Sequence, residues 1–289
     1  MSGITQGHSL PESDFAFLRY QAAQGHDDST EVRVKQDAFW SYCGPLLRTD
    51  SSLPTNFDDF STATFTGSVL PRLLPFLSFI NTYLSDCGMD NYMLTVRAIR
   101  PNTEFDQPRW HTDELFFADL KNRRLPGANL GLTSYFEKNQ TLDNASSGTN
   151  WKICTTLLGP STIFIPHKHQ ASAREVQKLA QNAASTQHEC LSIRCVGCAT
   201  AATAVREELA VKLAQFGVEQ AFPGECAFFQ VGRDSGAVHS EPSMSSDLRG
   251  RIFINVVPGT EEELKALMGK WGMQYPRQWW VGNRMNLAK

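Results

Sequence analysis

Hydrophobic positions in the first 90 residues follow a helical spacing and predict a helical N-terminal segment. Apolar residues recur at mixed helical intervals over residues 13–23 and 31–47. The stretch 49–68 is rich in Ser, Thr, Asp and Asn, and it predicts a loop. Residues 69–86 carry one broad apolar face and predict a longer helix. We expect residues 1–90 to form a helical brace for the rest of the chain.

The pattern changes at Tyr92, where short β-rich stretches begin. Gly, Pro and Asn separate these stretches, which is typical of an antiparallel sandwich or barrel. Two stretches rich in Ala, Leu, Glu, Lys and Gln predict a helical insertion at about 171–216, and three glutamates open a further helix over 261–271. The predicted strands are 92–100, 109–117, 129–137, 151–158, 162–166, 224–230 and 251–257.

The sequence therefore predicts a mainly β fold with flanking helices. We expect a single domain over residues 1–289. Its parts would be the brace 1–90, a β core 91–258 that contains the insertion, and a C-terminal helix and tail over 259–289.

Composition and charge narrow the class of protein. With 41% hydrophobic and 20% charged residues, disorder, collagen and coiled coil are excluded. The net charge of −3 disfavours a duplex nucleic-acid binder and favours a small-molecule partner. The chain starts without a secretory signal, so we expect the seven cysteines to be reduced and the protein to be cytoplasmic. The most apolar stretch, 69–84, is interrupted by Arg72 and Pro75, and we expect no membrane span.

Candidate chemistry begins with His111 and Asp113, two residues apart in a predicted strand. Residues at i and i+2 of a strand share a face, so an imidazole and a carboxylate could converge. With His239 they would form a 2-His-1-carboxylate site, the donor set of non-haem Fe(II). Arg249 and Arg251 follow His239 by ten and twelve residues. A guanidinium there could hold a carboxylate by two parallel hydrogen bonds.

The order of these residues resembles that of the Fe(II)/2-oxoglutarate-dependent dioxygenase superfamily: His111-x-Asp113 comes first, then His239, and then an arginine on a β-strand. The resemblance covers roughly residues 92–257. It implies a double-stranded β-helix core, of the jelly-roll or cupin-like kind. It also implies Fe(II) held by His111, Asp113 and His239, with 2-oxoglutarate and O₂ as cosubstrates.

The same resemblance implies a basic residue that grips the 2-oxoglutarate C5 carboxylate. Arg251 is favoured, because an unbroken strand follows it, and Arg249 is its competitor. Lys152 is the candidate if a strand in the middle of the barrel supplies the cation instead. Phe253 departs from the pattern, since many members have Ser or Thr two residues after the arginine.

The activity that the resemblance implies is oxidation of an unactivated C–H bond of a small molecule, by hydroxylation, desaturation or ring closure. The chain's size and its Trp-His-Thr-Asp context are also similar to tailoring oxygenases of fungal secondary metabolism, such as the one that forms an aziridine from valine. An amino acid or a secondary-metabolite intermediate is the implied substrate. The alternatives are a non-catalytic metal-binding jelly-roll protein, a metal hydrolase, and a nucleic-acid or protein demethylase.

Several other residues are candidates for a site. The sequence offers His167 with His169 as cupin-type ligands, and Arg97 with Arg109 for a substrate carboxylate. The cluster His188, Cys190, Cys195 and Cys198 has three possible interpretations: a structural zinc site, a redox disulfide, or packed or exposed thiols. Trp271, Trp279 and Trp280 are expected to close the barrel or cover a sheet edge. The residues guessed to line the substrate pocket are Phe117, Tyr135, Ile252, Phe253 and Ile254.

Overall fold

A computed structural model describes residues 13–21, 31–48, 53–104, 106–117, 150–184, 196–244 and 249–282. The strands of these ranges are β1 (Phe15–Arg19), β2 (Arg33–Val34), β3 (Ala38–Pro45), β4 (Phe65–Thr66), β5 (Asn91–Ile99), β6 (Trp151–Leu158), β7 (Ile163–Phe164), β8 (Glu219–Gln220), β9 (Glu225–Gln230), β10 (His239–Ser240), β11 (Arg251–Pro258) and β12 (Arg277–Gly282). The helices are α1 (Thr55–Thr64), α2 (Leu70–Asp86), α3 (Gln170–Ala184), α4 (Val196–Leu213) and α5 (Glu261–Lys270).

Seven strands form a large antiparallel sheet in the order β1-β9-β6-β11-β5-β3-β12. A small sheet has the order β10-β7-β8, and β2 pairs with β4. His111 forms an isolated antiparallel bridge with His239 of β10, which extends the small sheet at its β10 edge. The protein is thus a mainly β fold with flanking helices, as the sequence predicts.

Helix α2 covers the outer face of the large sheet. Alternate residues of a strand point to one face, so β5 and β11 each present an apolar row to the helix. This burial is the main hydrophobic core of the described chain, and its members include Leu73, Phe76, Leu77, Ile80, Leu94, Val96, Ile252, Ile254 and Val256.

The inner face of the large sheet looks toward the small sheet. Phe229 of β9 and Phe164 of β7 pack between the two sheets with ring centroids 5.4 Å apart, and Phe15 of β1 stacks on Phe164. The inward positions of β6 and β11 include the charged residues Lys152 and Arg251 beside the less polar Cys154 and Phe253. Burying the charged groups requires partners, and they surround the candidate site.

The prediction of helices over 13–23 and 31–47 is wrong, because the described parts of these stretches contain β1, β2 and β3. Strand β3 has buried positions on both faces, so its sequence lacks the alternation of a half-exposed strand. The loop predicted over 49–68 is also wrong in part, since α1 and β4 lie there. Phe57, Phe60 and Thr64 are the buried side of α1, at helical spacing among polar residues.

The strand predicted over 109–117 is wrong as well, since only the bridge at His111 has β pairing there. The strands predicted near 92, 151, 162, 224 and 251 are confirmed, as are the helix over 69–86, the helical insertion and the helix after 261. The strand predicted over 129–137 lies outside the described residues. Trp279 and Trp280 lie in β12, which the sequence analysis did not predict as a strand and which forms one edge of the large sheet. None of the helices in the described ranges has the length and apolarity to cross a membrane.

Candidate metal centre

His111, Asp113 and His239 come together between the two sheets. Their ligand atoms all lie within 4.8 Å of one another. The Asp113 carboxylate stands between the imidazoles, with Oδ1 3.8 Å from His111 Nε2 and Oδ2 3.8 Å from His239 Nε2. Two imidazole nitrogens and one carboxylate oxygen facing a common point are the donor set predicted from the sequence.

Backbone pairing positions the two histidines opposite each other. The N–H of His111 donates to the carbonyl of His239 at 3.0 Å, and the N–H of His239 donates back at 3.0 Å. The two residues therefore form a hydrogen-bonded antiparallel pair, and their rings lie side by side with centroids 4.4 Å apart. The backbone of Asp113 is held by Gly232, whose N–H donates to its carbonyl at 2.8 Å.

Each histidine uses its Nδ1 to contact a backbone carbonyl. His111 Nδ1 lies 2.7 Å from the carbonyl oxygen of Arg109, and His239 Nδ1 lies 2.9 Å from that of Ala237. A carbonyl oxygen only accepts hydrogen bonds, so the proton of each neutral ring belongs on Nδ1. The Nε2 lone pairs are then left for the common point, which is how proteins orient metal-binding histidines.

Asp113 pairs with a buried lysine. Lys152 of β6 donates from Nζ to Asp113 Oδ2 at 2.7 Å, and both side chains are largely buried. Burial raises the pKa of Asp113, but the Lys152 ammonium and the two imidazoles outweigh it and hold that pKa at about 2. Asp113 is therefore a carboxylate at neutral pH.

His239 is the more deeply buried of the two histidines. Burial lowers its pKa to about 4, with His111 contributing in the same direction and Asp113 opposing. Its ring is neutral at pH 7, which is the form that can ligate a metal. The site thus presents two nitrogen donors and one anionic oxygen donor.

A narrow inner cavity of about 140 Å³ adjoins His111, Asp113 and His239. It is bounded by Lys152 and Cys154 of β6, by Arg251 and Phe253 of β11, and by Thr162. Lys152 already pairs with Asp113, so its charge is compensated by a protein carboxylate.

Arg251 is a buried cation at the end of this cavity. Its side chain is 2% exposed, and it donates from Nε to the Pro160 carbonyl at 2.9 Å and from a terminal nitrogen to the Thr162 hydroxyl at 3.1 Å. Burial lowers its pKa to about 10, so it stays charged at neutral pH. Within the described chain, no carboxylate lies within ion-pairing distance of its guanidinium. Burying a charge that has only neutral hydrogen-bond acceptors costs free energy. An anionic ligand beside Arg251 would offset that cost.

A larger and more open cavity of about 740 Å³ meets the inner one. Arg97, Ile99, His111 and Glu241 line both spaces and therefore mark their junction. Arg109 also lines the larger cavity, but it is paired with Glu104 at 3.0 Å. Arg97 has no side-chain hydrogen bond or ion pair to any residue that the structure describes.

Other predicted site residues lie elsewhere. Arg249 is exposed, and its backbone carbonyl accepts from Val34 across the turn before β11. Ile252 and Ile254 belong to the core beneath the sheet, so their assignment to a substrate pocket is wrong. Phe117 is likewise wrong as a pocket residue, because it packs beside α5, whereas Phe253 does line the inner cavity. Tyr135 lies outside the described residues.

The described residues of the rival metal motifs do not join this centre. His167 stacks on Phe15 with centroids 3.8 Å apart, whereas His169 stacks on Phe216 at 4.6 Å. Of the zinc candidates His188, Cys190, Cys195 and Cys198, the first three lie outside the described residues, and Cys198 is an exposed residue of α4.

Sequence reasoning missed three groups around the site. The ion pair of Lys152 with Asp113 joins residues 39 apart, and no local pattern signals it. Thr162, the neutral partner of Arg251, and Glu241, at the junction of the cavities, were not singled out. Glu241 stands two residues after His239, a spacing that could have drawn attention to it.

Comparisons with known proteins add weak structural neighbours. No family model and no curated protein matches the chain. A solved structure of the non-heme iron oxygenase OrfP with Fe and L-Arg has a TM-score of 0.30 and 12% identity, over 88% of this chain and 77% of that chain. The OrfP structure with Fe and L-canavanine gives the same values. A TM-score of 0.30 is too low for fold or function to be transferred.

Proposed function

We propose that this protein is a non-haem iron oxygenase that uses Fe(II), 2-oxoglutarate and O₂ to oxidise an unactivated C–H bond of a small molecule. The observation that carries the proposal is the convergence of His111 Nε2, His239 Nε2 and the Asp113 carboxylate, with both Nδ1 atoms on backbone carbonyls. This donor set suits Fe(II) and leaves further coordination positions for small ligands. When bound, the iron would supply the activation of O₂ that no amino-acid side chain provides.

The buried guanidinium of Arg251 supports 2-oxoglutarate as the cosubstrate. A 2-oxo diacid has one end that chelates metals and a second carboxylate that needs a cationic partner. Arg251 has unused donors at the end of the inner cavity, and the Thr162 hydroxyl beside it offers another polar contact. In this role Arg251 would bind and orient the distal carboxylate by charge-assisted hydrogen bonds.

The order of strands supports a double-stranded β-helix core. From β5 onward the chain passes from the large sheet to His111 at the small sheet, then to β6, β7, β8, β9, β10 and β11. The members β5, β6, β9 and β11 are adjacent in the large sheet, and β7, β8 and β10 form the small one. Two sheets that exchange the chain in this way are what the jelly-roll prediction requires.

The larger cavity would hold the substrate. Its junction with the inner cavity brings Arg97 and Glu241 next to His111, so a bound molecule would lie beside the metal ligands. A volume of about 740 Å³ fits a small molecule. An amino acid or a secondary-metabolite intermediate, the classes that the sequence resemblance implies, would satisfy this polar junction.

Equilibrium metal binding tests the centre. We expect the wild-type protein to bind Fe(II), or Co(II) as a stable substitute, and His111→Ala, Asp113→Ala and His239→Ala each to lose that binding. His169→Ala is the matched control, because it removes a partly buried, ring-stacked histidine outside the site, and it should bind like wild type. Wild-type affinity in all three site variants would overturn the proposal.

Two arginines two residues apart test the cosubstrate site. Arg251→Gln should raise the KM for 2-oxoglutarate by about 10- to 100-fold, the range for losing a hydrogen bond to a charged group. Arg249→Gln removes the exposed neighbour and should leave this KM unchanged. Equal effects of the two substitutions would contradict the role of Arg251. Activity with Zn²⁺ under nitrogen would instead indicate a hydrolase.

A further inference from the structure

The metal ligands differ in what orients them. The two imidazoles are held by backbone carbonyls, which no side-chain substitution removes. The Asp113 carboxylate has a side-chain partner instead, and within the described chain that hydrogen bond comes from Lys152 alone. The orientation of the third ligand therefore depends on one lysine.

Lys152 lies on a rigid part of the scaffold. Strand β6 is hydrogen-bonded to β9 on one side and to β11 on the other. Lys152 stands opposite Phe229, and its Nζ lies 5.6 Å from the centre of that ring. The side chain is 14% exposed, so its ammonium is confined to the inner cavity. Asp113, by contrast, follows the bridge at His111 in a segment without regular secondary structure.

The ion pair makes the two carboxylate oxygens different. Oδ2 accepts from Lys152 at 2.7 Å, whereas Oδ1 has no hydrogen-bond donor among the described residues and faces His111 Nε2 at 3.8 Å. An oxygen that already accepts a short charge-assisted hydrogen bond is the weaker candidate for a metal ligand.

We propose that Lys152 is a positioning residue of the metal centre, which holds Asp113 Oδ2 so that Oδ1 is presented to the metal. This inference rests on the proposed metal centre and deepens it. It gives two of the cations that line the inner cavity different roles: Lys152 orients a protein ligand, and Arg251 takes the cosubstrate carboxylate. Lys152 is then not the 2-oxoglutarate anchor, the alternative role that the sequence left open.

Simple electrostatics predicts that substituting Lys152 strengthens metal binding, whereas the positioning role predicts that it weakens metal binding. An ammonium close to a divalent cation repels it, so removing the charge would strengthen metal binding. Loss of an orienting partner predicts weaker binding, by about 10- to 100-fold in metal sites generally. The direction of the change therefore decides between the two views.

The experiment is a Co(II) titration of the full-length protein, followed by the visible absorption of the bound ion. We expect Lys152→Met to weaken Co(II) binding by about 10- to 100-fold and to change the absorption spectrum, because the carboxylate is no longer fixed. Lys152→Arg keeps a cationic donor, so it should recover part of the Co(II) affinity and part of the wild-type absorption spectrum. Lys178→Met, an exposed lysine of α3, is the control and should match wild type. Circular dichroism before each titration confirms that the variant is folded, and Lys152→Gln serves in its place if Lys152→Met is not.

Three outcomes would contradict the inference in different ways. Lys152 variants that bind Co(II) as tightly as wild type, or more tightly, would overturn the positioning role and leave the proposed function intact. A raised KM for 2-oxoglutarate with unchanged Co(II) binding would make Lys152 the cosubstrate anchor instead. No Co(II) or Fe(II) binding by the wild-type protein would overturn the proposed function itself.

Discussion

Residue identity carries much of the chemistry of this site, but the partners that orient each residue come from distant parts of the chain. His111, Asp113 and His239 could be proposed from the sequence because their residue types can ligate metals and their order resembles that of an iron-oxygenase superfamily. The contacts that fix them are not recognisable in the same way. Gln170, which is fully buried, donates to the Ile165 and Val238 carbonyls at 2.6 and 3.2 Å, and its side-chain oxygen accepts from the Val238 N–H at 2.7 Å. These bonds tie the start of α3 to the residue before His239.

Replacing Gln170 tests this support. Gln170→Leu leaves buried backbone groups of Ile165 and Val238 without partners, so we expect the free energy of unfolding to fall by about 2–3 kcal/mol. Urea denaturation measures the change. Gln181→Leu, at an exposed position of the same helix, is the control and should have little effect. Equal stability of the two variants would show that the hydrogen bonds of Gln170 make no net contribution to the free energy of unfolding.

At the scale of elements, the start of β11 explains why Arg249 and Arg251 have different environments. Strand alternation alone would put both side chains on one face, but Gly250 between them has φ of +90° and the chain turns there. A Cβ at Gly250 would lie 2.7 Å from the carbonyl oxygen of Ile99 and 2.9 Å from Val34 Cβ. The turn directs Arg251 into the inner cavity and leaves Arg249 outside.

Gly250→Ala tests this turn, and Gly269→Ala is the comparison. The two substitutions should change the free energy of unfolding in opposite directions. Gly250→Ala combines a positive φ with backbone crowding, so it should destabilise the protein by about 1–3 kcal/mol and raise the KM for 2-oxoglutarate by displacing Arg251. Gly269→Ala, inside α5 where a Cβ would meet nothing within 4 Å, should stabilise by about 0.5–1 kcal/mol. Chemical denaturation compares them. A Gly250→Ala variant as stable as wild type would show that the turn tolerates a side chain.

Strand prediction was mostly right from β5 onward, except for the strand expected over 109–117 and the unpredicted β12, and it was wrong earlier in the chain, where β1 and β3 were taken for helices. Helix α2, which also precedes β5, was predicted correctly. The difference has a physical reason. Later strands such as β5 alternate, because one face packs on α2 and the other faces a polar cavity. β1 and β3 owe their structure to distant partners, with Phe15 opposite Phe229 and Trp40 opposite Val96. Pairings of such long range leave no periodicity of their own in the local sequence.

At the scale of the whole molecule, a metal at this centre would join distant parts of the chain. His111 and Asp113 precede β6, whereas His239 lies near the end of the β core, and the small sheet and the large sheet hold them together. The three residues that come together at the candidate metal centre could be picked out from the sequence. The two cavities that meet at Arg97 and Glu241 could not, because they depend on how the two sheets pack.

Metal addition should therefore stabilise the folded protein. A ligand that binds only the native state adds about 2.7 kcal/mol when its free concentration is about 100 times Kd. We expect Co(II) to raise the Tm of the wild-type protein and of Arg249→Gln, and chelation by EDTA to reverse the rise. Asp113→Ala should show no rise. An equal rise in Asp113→Ala would mean that the metal binds elsewhere.

Release of labelled CO₂ from 2-oxoglutarate labelled at C1 is the most direct measure of the proposed activity. With Fe(II), O₂ and a panel of amino acids present, we expect CO₂ release by the wild-type protein and by Arg249→Gln. We expect release to be strongly reduced in Arg251→Gln and to be absent in Asp113→Ala and in the wild-type protein under nitrogen. Wild-type release no greater than that of Asp113→Ala would contradict the assignment of this protein as a 2-oxoglutarate-dependent iron oxygenase.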